Sequence, residues 1–200
     1  MVFKNKITIE EIKLLPQKHF SGNIIVVDTP ELCAEAVECL RNQPVLGFDT
    51  ETKPSFRKGT KNKVALLQLS AGTVCYIFRL NKIEFNQQIA GILAHPGIIK
   101  TGVGIDDDIK SLRRICEFKP AAFVELQKFV KPYGIEDNSL RKLAAIVLGV
   151  NISKSQRLSN WELPVLSEQQ QIYAATDAWV GFEIYSTLIQ IEPTQSSTAE

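Results

Sequence analysis

Apolar residues recur along this chain in two rhythms. The runs "NIIVV", "VLGFDTE", "VALLQLSA", "VCYIFRL" and "GIIKTGVG" have strand length and are rich in β-branched and aromatic residues. The turn "AGT" joins the third and fourth as a hairpin, and "AFVELQKFV" contains a further short strand. Stripes at three-to-four spacing predict helices over "TPELCAEAVECLRN", "NQQIAGILAH", "DDDIKSLRRIC" and "NSLRKLAAIVLG", and a long helix after Ser167. Thr29 as N-cap with Pro30 behind it starts the first of these, and Ser167 with Gln170 forms a capping box for the last. Neighbouring strands followed by alternating strands and helices predict an α/β domain, a mixed sheet covered by helices. That domain spans residues 23–192. Residues 1–22 read as an N-terminal extension with one short helix capped by Thr8 and Glu11, and 193–200 as a polar tail.

The residues that break the pattern carry the chemistry. Asp49 and Glu51 follow Phe48 in a buried strand, and residues two apart point to one face. Two anions about 5 Å apart repel by roughly 3 kcal/mol at an effective dielectric near 20. On the helix of "GIDDDIKSLRRIC", Ile105, Ile109, Leu112 and Cys116 form the apolar stripe, and Asp108 intrudes on it. Asp106 and Asp107 have an ordinary explanation, an N-cap and the positive end of the helix dipole. On the last helix Tyr173 and Asp177 share a face that Val180, Ile184 and Leu188 continue, so Asp177 occupies a place for an aliphatic side chain. A buried aspartate needs a partner, either an arginine or a metal. Hard divalent cations bind carboxylate oxygens and cancel their repulsion, and two such ions clamp an in-line displacement at phosphorus.

Composition narrows the field. The chain has 200 residues, 44% hydrophobic and 22% charged, with a net charge of +1. Affinity for nucleic acid must therefore come from a local patch or from metal ions rather than from overall charge. One patch is evident: "TKPSFRKGTKNK" places Lys53, Arg57, Lys58, Lys61 and Lys63 together with Phe56 and no acid. Such a loop suits phosphates and a stacked base, or simply solvent. Cys33, Cys39, Cys75 and Cys116 lack zinc-ligand spacing and read as free thiols of a reducing compartment. With no signal-peptide core and no apolar run long enough to span a bilayer, the expectation is a cytoplasmic protein with no membrane partner.

Taken in order, "DTE" (Asp49, Glu51), "GIDDD" (Gly104, Asp108) and "YAATD" (Tyr173, Asp177) resemble the three motifs of the DEDD superfamily of 3′–5′ exonucleases, tyrosine subclass. "KVALLQLS", "FVELQ", "SNW" and "LSEQQ" resemble the family's flanking segments, Werner-type exonuclease domains first and ribonuclease D second. The histidine subclass has its histidine where Ile172 stands here. The resemblance implies a ribonuclease H-like fold with a central five-stranded mixed sheet and helices on both faces. It implies two Mg²⁺ or Mn²⁺ ions held by Asp49, Glu51, Asp108 and Asp177, with Tyr173 orienting the attacking water. It implies a nucleic-acid substrate with a free 3′ end, DNA ahead of RNA, and places Trp161 at the wall of the site. The competing reading from another class is a catalytically silent nucleic-acid-binding module, in which one or more motif acids are usually lost. All are retained here.

Overall fold

The computed structural model describes residues 2–55 and 62–193. Phe56, Arg57, Lys58 and Lys61 lie outside the described residues. After a short helix α1 (Ile9–Lys13), the chain forms β1 (Asn23–Val27), α2 (Pro30–Arg41), β2 (Val45–Thr52), β3 (Val64–Ser70) and β4 (Val74–Arg79). It continues through α3 (Gln87–Ala94), β5 (Ile99–Gly102), α4 (Ile105–Arg113), β6 (Phe123–Glu125) and α5 (Leu126–Phe129). Helix α6 (Leu140–Leu143) runs into a π-helical turn, Ala144–Leu148, and α7 (Glu168–Leu188) closes the domain. Three expected capping arrangements are present: Thr8 with Glu11, Thr29 with Pro30, and Ser167 with Gln170.

The sheet has six strands rather than five, in the order β1-β4-β3-β2-β5-β6. The three-residue β6 is the shortest, pairing with β5 from Lys100↔Phe123 to Gly102↔Glu125. Strands β2, β3 and β4 are antiparallel to their neighbours within that trio, whereas β1, β5 and β6 join in parallel. Strand alternation then divides the molecule. Leu46 and Phe48 of β2, with Leu67 and Leu69 of β3, face a core built with α2, α3 and α4. The opposite face packs Leu66, Cys75 and Ile77 against Ala174, Ala175 and Ala178 of α7.

Small residues bring α7 close. A Cβ on Gly47 would sit 1.9 Å from the carbonyl oxygen of Ala178, so helix backbone lies directly on strand backbone. The described residues ahead of β1 pack on the domain as well. Ile7 and Ile12 bury against Ala145 of the π-helical turn, the Ile7 amide donates to Asp137 Oδ2 at 2.8 Å, and Gln17 bridges to Asn151. No helix among the described residues is long and apolar enough to cross a membrane.

Candidate active site

The residues of β2 with odd numbers face α7. Asp49 and Glu51 therefore stand on the side from which Asp177 descends, one helical turn after Tyr173. Oxygen atoms of Asp49, Glu51 and Asp177 all lie within 4.8 Å of one another, and all three residues are half-buried. None of them forms a salt bridge with a described residue, so no arginine among those residues is the partner. Withdrawal from water pushes every one of these acids upward, and repulsion from neighbouring carboxylates adds to it at Asp49 and Glu51. Glu51 rises to about 8, by burial first and then the charges of Asp177 and Asp108. Asp177 rises to about 7 through burial, although Tyr173 and the charge of Lys154 oppose the shift. Burial, then Asp177, Glu51 and Asp108, hold Asp49 well above the usual carboxylate range.

Tyr173 directs its hydroxyl at the Asp177 carboxylate, and burial together with the surrounding anions lifts its pKa far above that of a free phenol. It is thus a protonated donor at neutral pH. Trp161 lies against it, ring centroids 5.9 Å apart. Trp161 itself is fully buried, so it has no surface to offer a base and serves as backing for Tyr173 instead of a wall of the site. Its sequence position near the motif was informative; its burial depends on packing from Ala65 and Leu66 that no local pattern records.

Asp108 is not part of the trio. It sits on α4, on the other side of β2, and its Oδ1 accepts a 2.5 Å hydrogen bond from the Thr50 hydroxyl. Burial raises its pKa to about 6 while Thr50 pulls the other way. Its charge still registers at Asp49 and Glu51. The expected N-cap role of Asp106 does not occur: Gly104, at φ 73°, occupies that position without any side-chain cap. Glu125, the last residue of β6, caps the helix from outside. Its Oε2 accepts from Ile105 N at 2.9 Å and its Oε1 from Gly104 N at 3.1 Å. Asp106 and Asp107 are exposed near Lys128 and Lys110.

An open cleft of about 440 Å³ reaches the carboxylates, lined by Asp49, Asp177, Gln127, Asn138, Ser139 and Lys154 among others. Lys154, which sequence reasoning passed over, lies in the irregular stretch between α6 and α7, where no periodicity assigns a face. Of the expected basic residues within the description, Lys53 pairs with Glu162 at 3.2 Å.

The donor set fits a divalent cation. Three clustered carboxylates offer only hard oxygen atoms, the ligands Mg²⁺ and Mn²⁺ take. Beside them, Gln68 pairs across β2–β3 with Asp49 and is fully buried, yet neither end of its amide has a partner. Unpaired buried polarity of this kind is costly.

Comparisons with known proteins agree with this geometry. Residues 24–191 match the pattern of a 3′–5′ exonuclease family. The chain is 36% identical over 184 residues to the Mus musculus protein named bifunctional 3′-5′ exonuclease/ATP-dependent helicase WRN; the match takes in 87% of this chain but 13% of that much longer relative. The crystal structure of the Aedes aegypti Nibbler EXO domain superposes with a TM-score of 0.77 at 22% identity, covering 86% of this chain and 91% of that one. Trypanosoma brucei RNase D in complex with RNA U12 gives a TM-score of 0.77 at 18% identity, over 86% and 64% of the two chains. These two likenesses establish the fold.

Proposed function

The chain belongs to the 3′–5′ exonuclease family, and on that premise we propose that it removes nucleoside 5′-monophosphates stepwise from the 3′ end of DNA. The observation that carries this reading is the convergence of Asp49, Glu51 and Asp177 beneath Tyr173. Asp49, Glu51 and Asp177 would hold one divalent cation, Mg²⁺ or Mn²⁺; Asp49 would also serve a second, which Asp108 would support directly or through water. Bound there, the cations supply charge neutralisation at phosphorus and activation of the attacking water.

The protein's own groups do the rest. Tyr173, protonated because of its surroundings, gives its one O–H proton to Asp177 and accepts a hydrogen bond from the water, which it thereby aims; it does not abstract the proton. Trp161 behind it keeps the ring in place. The water oxygen bonds to phosphorus, the bond from phosphorus to the 3′ oxygen breaks, and that oxygen leaves with a proton as the new 3′ end. Lys154 places a positive charge in the cleft where the phosphate must lie. The basic run holding Phe56, Arg57, Lys58 and Lys61 supports binding of the strand further from its end.

DNA is favoured because the resemblance in sequence is to Werner-type domains, whereas likeness to the RNA-bound ribonuclease D is one of fold at 18% identity. The deciding experiment digests matched 5′-labelled DNA and RNA strands with Mg²⁺, Mn²⁺ or chelator. A ladder shortening from the 3′ end with metal only, faster on DNA, is expected. Faster RNA cleavage transfers the activity to RNA, and no cleavage of either polymer removes the enzymatic reading in favour of a silent binding module.

A further inference from the structure

Strand β2 carries Thr50 between Asp49 and Glu51, and the alternation that sends both acids toward α7 sends Thr50 the other way. There it meets Asp108, fifty-eight residues along the chain, in the 2.5 Å hydrogen bond from its hydroxyl to Oδ1. We propose that Thr50 is a positioning residue that fixes the orientation of the Asp108 carboxylate for the second cation. The proposal rests on the metal-dependent reading above and deepens it.

Three observations support the assignment. Asp108 lies outside the 4.8 Å cluster of Asp49, Glu51 and Asp177, so it can serve the same site only if its direction is controlled. The backbone of its helix is already pinned, because Glu125 holds the amides of Gly104 and Ile105. What the pinned backbone leaves free is rotation of the carboxylate, and Thr50 removes that freedom by engaging one of its two oxygen atoms. One strand thereby sets three of the four acids: two directly, and the third through the residue between them. Outer hydrogen-bond partners of this kind orient metal-ligating groups, and their loss commonly lowers metal affinity 10-fold to 100-fold, as an order of magnitude of about one to two decades.

The competing account makes the Thr50–Asp108 bond a simple tie between β2 and α4. The two accounts separate in the variants Thr50→Val and Thr50→Ser. Valine is nearly isosteric with threonine and favours strands, so the fold, followed by circular dichroism, is retained. Mn²⁺ is titrated calorimetrically into each protein without substrate, and the Mg²⁺ dependence of nuclease activity is measured alongside. The expected result is two Mn²⁺ sites in the natural protein. In Thr50→Val one site is unchanged and the other weakened about 10-fold or more, with the Mg²⁺ requirement raised to match. Thr50→Ser, which keeps the hydroxyl, restores both. Identical Mn²⁺ isotherms for the natural protein and Thr50→Val overturn the proposal and leave the metal site standing. A natural protein that binds no Mn²⁺ overturns the reading of the site itself, and this inference with it.

Discussion

The two sides of β2 treat their carboxylates differently. Toward α7, Asp49, Glu51 and Asp177 crowd together, with the Tyr173 hydroxyl aimed at Asp177 and the Thr50 amide at Asp49. Toward α4, Asp108 stands alone and accepts from Thr50. Glu51 and Asp177 accordingly rise to about 8 and about 7, Asp108 only to about 6. The contrast teaches that one strand restrains its acids in two ways, by crowding on one side and by a protein hydroxyl on the other. It is also where the domain is easiest to break.

The largest effect is expected at Asp49, proposed to touch both ions. Asp49→Ala should abolish cleavage, whereas Asp108→Ala should leave a weak, metal-hungry activity; initial rates across a Mg²⁺ series compare them. Without metal, Asp49→Ala should be slightly more stable than the natural protein, since it removes repulsion from the crowded side. Near-normal Mg²⁺-dependent activity in Asp49→Ala would dismantle the site assignment.

Next comes the pH dependence of the metal-free protein. Folded-state pKa values raised above those of the unfolded chain mean that the folded state keeps protons the unfolded state has already released. Stability from these acids is therefore full below about pH 4 and lost as pH rises through about 6, 7 and 8, the values of Asp108, Asp177 and Glu51. The loss should appear as a Tm that falls steadily across this range. Added Mn²⁺ should reverse the slope, because it binds the deprotonated acids. Thermal melts from pH 5 to 8, with chelator and with Mn²⁺, measure both slopes; a flat chelator curve would mean the acids are solvated, not crowded.

Tyr173→Phe should slow the chemical step about 10²-fold, the lower end of what positioning and acid–base groups contribute, while Mn²⁺ binding is preserved. Single-turnover rates at saturating Mn²⁺ test this, and equal rates reduce Tyr173 to packing. The smallest change belongs to Trp161→Phe. Its indole N–H has no partner to lose, so only the backing of Tyr173 is loosened, for a decrease of about 3-fold to 10-fold in rate with affinity for the strand unchanged. A selective loss of strand binding would return Trp161 to the substrate surface.

How much of this was legible beforehand follows from distance along the chain. Asp49 and Glu51 declared themselves through a two-residue period, and Asp177 through its place in an apolar helical line. Capping boxes at Thr8 and Ser167 were equally readable, being interactions three residues apart. What escaped joins residues far apart. Thr50 meets Asp108 across 58 positions, and the Arg79 guanidinium reaches the Leu163 carbonyl across 84. The cap of α4 illustrates the limit: the local acids Asp106 and Asp107 suggested themselves, but the cap came from Glu125, on a short strand that was legible while its approach to α4 was not. Burial of Trp161 and the place of Lys154 likewise depend on how an irregular segment crosses the domain, which no periodicity encodes.

Gly47 makes backbone contact the ruler that spaces α7 from β2. Because its Cβ would stand 1.9 Å from the Ala178 carbonyl oxygen, even alanine would force the helix and strand apart by about 1 Å or more before ordinary contact returned. Side chains between strand and helix would deform under a small change; bare main chain against main chain does not. One hydrogen atom in place of a methyl group thus sets how near α7, and with it Asp177, stands to the strand that carries Asp49 and Glu51.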